Sequence, residues 1–246
     1  MEISFVSKRV LVTGAGKGIG RALAKRLANY GAEVVAVSRS KEGLDSLAAE
    51  TKNIKTICVD LSDWDATRKA IKSAGPIDCL VNNAAYASLE SFLDVKPENF
   101  DMMRLHEITR KSVINVSQVV VEGMIQRKKG GSIVNISSQA SQAALADHTV
   151  YCGTKGALDM VSRVMALELG PHNIRVNCVN PTVVLTDMGR LGWSKPEKAN
   201  PMLAKIPLGR FAEVDEVVDA VVYLLSDKAS MINGVTLPID GGFLGT

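Results

Sequence analysis

The chain has 246 residues, 46% of them hydrophobic and 22% charged, the make-up of a folded globular protein and not of a largely disordered one. Twenty-nine Lys and Arg against 26 Asp and Glu leave a net charge of +3 with no basic run interleaved with aromatics, so nothing marks a nucleic-acid surface. No apolar stretch approaches the roughly 20 residues of a membrane-spanning helix, residues 217–225 being broken by Asp219.

Strand-like runs of Val, Ile and Leu fall at residues 10–12, 34–37, 54–59, 79–81, 133–136, 176–179 and 235–238. They lack polar alternation, as expected of parallel strands covered on both faces. Helix-length segments at 19–30, 41–51, 63–74, 97–127, 150–169 and 214–225 alternate with them. Pro97 suits a first helical turn, Gly31 follows the first helix and Gly170-Pro171 ends the fifth. The pattern predicts an α/β, Rossmann-type doubly wound sheet of about seven parallel strands, as one domain over residues 1–246. Residues 182–207, with three prolines, read as an irregular loop covering a site. The four cysteines show no C-x-x-C pairing and no metal-ligand spacing, so they read as reduced structural thiols, with Cys152 the one to watch beside Tyr151. Residues 1–9 have neither a secretory core nor an Arg-rich amphipathic pattern, which makes a cytoplasmic location the expectation.

After the first strand comes Gly14-Ala15-Gly16-Lys17-Gly18-Ile19-Gly20, then a helix. Bare backbone N–H groups and the positive end of a helix suit a pyrophosphate. The spacing of Gly14, Gly18 and Gly20 fits neither G-x-G-x-x-G nor a Walker loop. The second strand ends in Ser38-Arg39-Ser40, without the acid that would bond a ribose 2′-hydroxyl and repel a 2′-phosphate. Arg39 and Lys17 instead offer positive charge, which favours NADP(H), although Arg39 alone also reads as a solvated loop residue.

Tyr151 and Lys155 stand at i and i+4, one helical turn apart. A phenol with a pKa near 10 becomes useful for proton transfer when a cation stabilises its phenolate, and Lys155 is placed to be that cation. Ser138 closes the fifth strand, where such sheets bind ligands, and its hydroxyl suits a carbonyl oxygen gaining negative charge.

The glycine turn, Asn82-Asn83-Ala84-Ala85, Ser138, Tyr151 with Lys155, Asn180-Pro181 and Asp240-Gly241-Gly242 together resemble the short-chain dehydrogenase/reductase superfamily over the whole chain. The runs 9–20, 34–39, 60–64, 150–156 and 166–182 are similar to its members that reduce L-xylulose and α-dicarbonyls such as diacetyl with NADPH, typically as homotetramers. The resemblance implies Tyr151 as general acid, Lys155 as its partner and ribose ligand, and Ser138 as the polarising hydroxyl. For the cofactor it implies Gly14, Lys17, Gly18, Ile19, Gly20, Ser38, Arg39, Asp60, Leu61, Asn83, Ala84, Ala85, Pro181, Val184 and Thr186, besides Tyr151 and Lys155. For the substrate it implies Ser138, Gln139, Leu145, His148, Tyr151 and Trp193; a loop amide, a helix cap and a loop anchor are the alternatives for Gln139, His148 and Trp193.

One departure stands out. Thr109 occupies the position where the family's proton relay has an Asn, two extra residues fall between Asp101 and Glu107, and nearby His106 reads first as a surface or interface histidine, with substitution in the relay as the alternative. The expected reaction is hydride transfer from NADPH to a ketose, to xylitol in the case of L-xylulose, or to an α-dicarbonyl. The competing readings are a 3-oxoacyl-thioester or general carbonyl reductase and a catalytically weak NADPH-binding sensor.

Overall fold

The computed structural model describes residues 2–85, 90–96 and 107–246, with residues 107–110 and 188 described in backbone only. Pro97, His106 and the two extra residues after Asp101 lie outside the described residues, and so does the Thr109 side chain.

Strands β1 (Arg9–Thr13), β2 (Glu33–Ser38), β3 (Ile54–Cys58), β4 (Cys79–Asn82), β5 (Gly131–Ile136), β6 (Ile174–Pro181) and β7 (Thr236–Ile239) form one sheet in the order β3-β2-β1-β4-β5-β6-β7. Every neighbouring pair is parallel, as the Rossmann-type reading requires. Strand order reverses between β1 and β4, where the crossovers on either side diverge and leave a crevice at the carboxyl ends of the strands.

The continuous apolar runs are explained by two cores, one on each face. Val10, Val12, Val34 and Ala36 point into the first, with Leu23 and Leu27 of α1 (Gly18–Asn29), Leu44 and Leu47 of α2 (Lys41–Glu50) and Val217, Val218 and Val221 of a later helix (Val214–Leu225). Leu11, Val35, Val37 and Ile133 point into the second, with Ile71 of α3 (Trp64–Lys72), Val116 and Met124 of α4 (Glu107–Arg127) and Ala166 of α5 (Thr149–Leu169). Alternate residues of each strand therefore face opposite helical layers, and both sets must be apolar.

The expected loop over residues 182–207 is instead largely helical, with α6 (Asp187–Gly192) and α7 (Pro196–Leu203). Thr186 starts α6 by accepting a hydrogen bond from the Gly189 N–H, and Pro196 occupies the first turn of α7, where a missing N–H costs nothing. The prolines that read as breakers include one that starts a helix. The segment packs Met202, Ile206, Phe211 and Trp193 into a third small core. The last helix, α8, is Val214–Leu225. No helix among the described residues is long and apolar enough to cross a membrane.

Candidate active site

The crevice is floored by the glycine turn between β1 and α1. Gly14 (φ +66°) and Gly18 (φ +55°) hold left-handed backbone that other residues rarely adopt. The turn is clamped from β4: Thr13 Oγ1 accepts from the N–H groups of Asn83 (3.0 Å) and Ala84 (3.1 Å), and Asn83 Nδ2 donates to the carbonyls of Thr13 (3.0 Å) and Gly14 (3.3 Å). A Cβ on Gly20 would lie 2.4 Å from both Asn83 Nδ2 and Gly14 O, so only glycine fits there. The Asn83 side chain thus shapes the cradle. Ala85 is exposed at its edge.

Unlike α2 and α3, whose first turns are capped by Ser40 and Asp63, α1 begins at exposed Lys17 with no side-chain cap. Its first N–H groups are left for a ligand, and an anion at that positive helix end satisfies them. Thr186 faces the turn, its Cγ2 3.5 Å from where a Cβ on Gly18 would sit. Val184 is tied by a bridge to Ala212, and Pro181 ends β6 opposite Ile239. These residues fit a dinucleotide laid across the carboxyl ends of the strands. Exposed Arg39 lies beyond Ser38, and Ser38 Oγ accepts from the Ser40 N–H (3.3 Å). Asp60, past the end of β3, accepts from the Ser62 N–H and hydroxyl; those bonds and the Arg39 charge hold its carboxyl below the usual range. The Leu61 side chain is buried in the second core.

Ser138, Tyr151 and Lys155 come together on the other wall. Ser138 Oγ accepts from the Ala140 N–H (3.2 Å) and acts on the Tyr151 phenol to lower its pKa. Lys155 Nζ lies 5.7 Å from the centre of the Tyr151 ring and donates to the Ile136 carbonyl (2.8 Å). The electrostatics differ from the expectation that Lys155 pulls the phenol down. Burial pushes Tyr151 up, and Ser138 supplies the opposing pull; burial also brings Lys155 down to about 8. Both groups are removed from water, and desolvation is the largest influence on each. The phenol therefore keeps its proton, the form in which it donates, while Lys155 remains an ammonium at neutral pH.

A family model described as Enoyl-(Acyl carrier protein) reductase matches residues 14–244. The chain belongs to the short-chain dehydrogenase/reductase family. It is 59% identical over 246 residues to L-xylulose reductase of Mesocricetus auratus, each chain covered in full, and 56% identical over 243 residues to D-erythrulose reductase of Gallus gallus, covering 99% of this chain and 98% of the other. Among solved structures it is similar to a gluconate 5-dehydrogenase from Burkholderia cenocepacia in complex with NADP and tartrate, with TM-score 0.91, 30% identity and coverage of 99% and 97%. Membership makes it an oxidoreductase with a nicotinamide-cofactor site.

Around this short-chain dehydrogenase/reductase centre, the residues expected to line a substrate pocket divide. Gln139 is 2% exposed and neither of its amide atoms has a partner among the described residues, so it is not an idle loop amide. His148 occupies the N-cap position of α5 without capping it; its ring stands edge-on to Tyr151 at 6.0 Å. Trp193 packs edge-on against Phe211 at 5.6 Å under the Lys198 ammonium and shares the third core with Leu145. Thr109 contributes backbone to α4, and nothing further is described there.

Behind the site runs a buried polar network that the sequence analysis did not assign. Asn82 Nδ2 donates to Ser117 Oγ (3.1 Å) and Asn135 Oδ1 (2.8 Å), and Asn135 Nδ2 to Ser162 Oγ (2.7 Å), which ties β4, β5, α4 and α5 together. Asn180 Nδ2 reaches the Ser138 carbonyl, Ser141 Oγ and Asp159 Oδ2. The signal was an Asn inside otherwise apolar strands, three times over. All four cysteines are free, and burial pushes Cys79 and Cys178 up to about 12, which makes them inert packing groups.

Proposed function

We propose that this protein is an NADPH-dependent carbonyl reductase acting on small ketoses and α-dicarbonyls, L-xylulose to xylitol foremost, as one catalytic domain that assembles into a cytoplasmic homotetramer. The observation that carries the reading is the convergence of the Ser138 hydroxyl, the Tyr151 phenol and the Lys155 ammonium beside an uncapped helix start. The cofactor supplies hydride to the carbonyl carbon. The chain's own groups handle the oxygen. Ser138 already accepts a hydrogen bond from Ala140, so its hydroxyl hydrogen is free to donate to the carbonyl oxygen and stabilise the charge that develops. Tyr151 then delivers its phenolic proton to that oxygen. Lys155 spends one hydrogen on Ile136 and keeps two, for a ribose hydroxyl and for the charge left on Tyr151.

Substrate class rests on the pocket and on kinship. Gln139 offers an unpaired buried amide and His148 a half-buried ring beside Tyr151, which suit hydroxyl-bearing substrates, and the similar L-xylulose and D-erythrulose reductases are named for ketoses. The first carbonyl-binding groups are polar, so a long acyl chain gains little there. Exposed Arg39 and Lys17, with no acid ending β2, support NADPH. An exposed stripe on α5, Met160, Val164 and Leu167, supports association with further copies.

The test is a panel of L-xylulose, diacetyl and an acyl thioester with NADPH and NADH, followed by loss of reduced-cofactor absorbance. L-Xylulose and diacetyl should be reduced with NADPH. Tyr151→Phe should lower kcat by about 10² to 10⁴ while NADPH fluorescence still reports binding. Binding of NADPH without oxidation by any of these compounds would support the sensor reading instead.

A further inference from the structure

Asp159 follows Lys155 by one turn of α5, is 6% exposed, and takes no part in any ion pair described. Taking an acidic side chain out of water costs free energy that only hydrogen bonds or a charged partner offset. Its Oδ2 accepts from Asn180 Nδ2 at 2.9 Å, while its Oδ1 has no partner among the described residues. Asn180 is fully buried, and the same Nδ2 reaches the Ser138 carbonyl at 3.1 Å and Ser141 Oγ at 2.8 Å. Ser141 Oγ also donates to the Ser138 carbonyl at 2.8 Å.

We propose that Asp159 is a positioning residue for Ser138, acting through Asn180 to fix the turn over residues 138–141. The proposal rests on the reading of Ser138 as the carbonyl-polarising group. Asp159 Oδ2 accepts from Asn180 Nδ2, and that hydrogen bond holds the nitrogen end of the Asn180 amide toward Asp159. With one N–H on Asp159, the second goes to Ser141 Oγ, whose own hydroxyl donates to the Ser138 carbonyl beside it. The opposite orientation sets the amide oxygen against the Ser138 carbonyl, two acceptors face to face. Held in the first orientation, the turn keeps the Ala140 N–H on Ser138 Oγ and the hydroxyl hydrogen directed at the crevice.

The experiment compares Asp159→Leu, Asp159→Asn, Asn180→Asp and the exchanged pair Asp159→Asn/Asn180→Asp in the full-length protein. The measurements are kcat and KM, NADPH affinity by fluorescence, thermal midpoint, and hydrogen exchange of the amides at 140–143. Asp159→Leu should lower kcat on the order of 10- to 100-fold with NADPH affinity retained and faster exchange at 140–143. Asp159→Asn should keep most of kcat, because its amide oxygen still accepts from Asn180. The exchanged pair restores a buried donor–acceptor contact between the two positions but leaves Ser138 O facing a carboxylate. It should therefore recover the thermal midpoint lost in Asn180→Asp without recovering kcat.

A merely structural pair would recover both, and that result overturns the proposal, as do unchanged exchange at 140–143 in Asp159→Leu or equal losses in Asp159→Leu and Asp159→Asn. If Asp159→Leu does not fold, the exchanged pair decides. If the wild-type protein reduces no carbonyl, the functional reading fails on its own, and the exchange at 140–143 still judges whether Asp159 sets the turn.

Discussion

Burial acts on Tyr151 and Lys155 in opposite directions, raising the phenol and lowering the ammonium to about 8, because each is pushed toward its neutral form. The activity therefore has an alkaline limit. As pH rises through about 8 the free protein loses the Lys155 charge, so kcat/KM for NADPH should fall from pH 7 to pH 9, measured by initial rates. Lys155's own contribution to stability runs the other way: between about 8 and 10.5 the unfolded chain binds the proton that the folded chain has released, so stability from this residue rises with pH. Cofactor preference is to be tested at a second residue. Exposed Arg39, just past the end of β2, is coupled by charge to Asp60, past the end of β3. Arg39→Asp should turn the NADPH:NADH ratio of kcat/KM toward NADH; an unchanged ratio removes Arg39 from the assignment. Tyr151, Lys155 and Ser138 were legible because one helical turn and one strand end fix their neighbourhood. The direction of the Tyr151 shift was not, because it depends on how much water the fold removes.

The approach of α2 to the glycine turn is an element-scale constraint that no motif announces. A Cβ on Gly43, inside α2, would lie 2.9 Å from the Gly16 carbonyl, a backbone atom that cannot swing aside. Alanine would favour the helix by about 1 kcal/mol in isolation, yet here it has to push the turn. Gly43→Ala should weaken NADPH binding several-fold with little change in thermal midpoint, as followed by cofactor fluorescence and thermal melts. The central strands were readable because double-sided burial demands runs of Val, Ile and Leu, whereas the edge strands β3 (IKTIC) and β7 (TLPI) are half-exposed and mixed in sequence. Helices α6 and α7 were not, since Pro196 and Pro201 resemble breakers and only the Thr186 cap and the contacts of Met202 reveal their shape. Asn135 was visible as a polar residue inside its run, and Asn82 and Asn180 as the residues directly after theirs, but their partners on α4 and α5 come from tertiary packing alone.

At the scale of the whole molecule, Met160, Val164 and Leu167 stand 56%, 46% and 78% exposed at helical spacing on α5, an apolar stripe on a helix whose other face carries Tyr151 and Lys155. Light scattering should give about four times the 26.3 kDa chain mass, and Leu167→Glu should reduce it while leaving the helical circular dichroism intact. The all-parallel sheet has a further consequence, for how the chain is made. β1 finds β2 at residue 33 but waits for β4, whose first residue is Cys79, before its second edge closes. About seventy residues must leave the ribosome after β1 before the central ladder is complete, with Val10, Leu11 and Val12 bare along one side. Newly made chains pass through an interval in which that strand edge is open to other nascent copies.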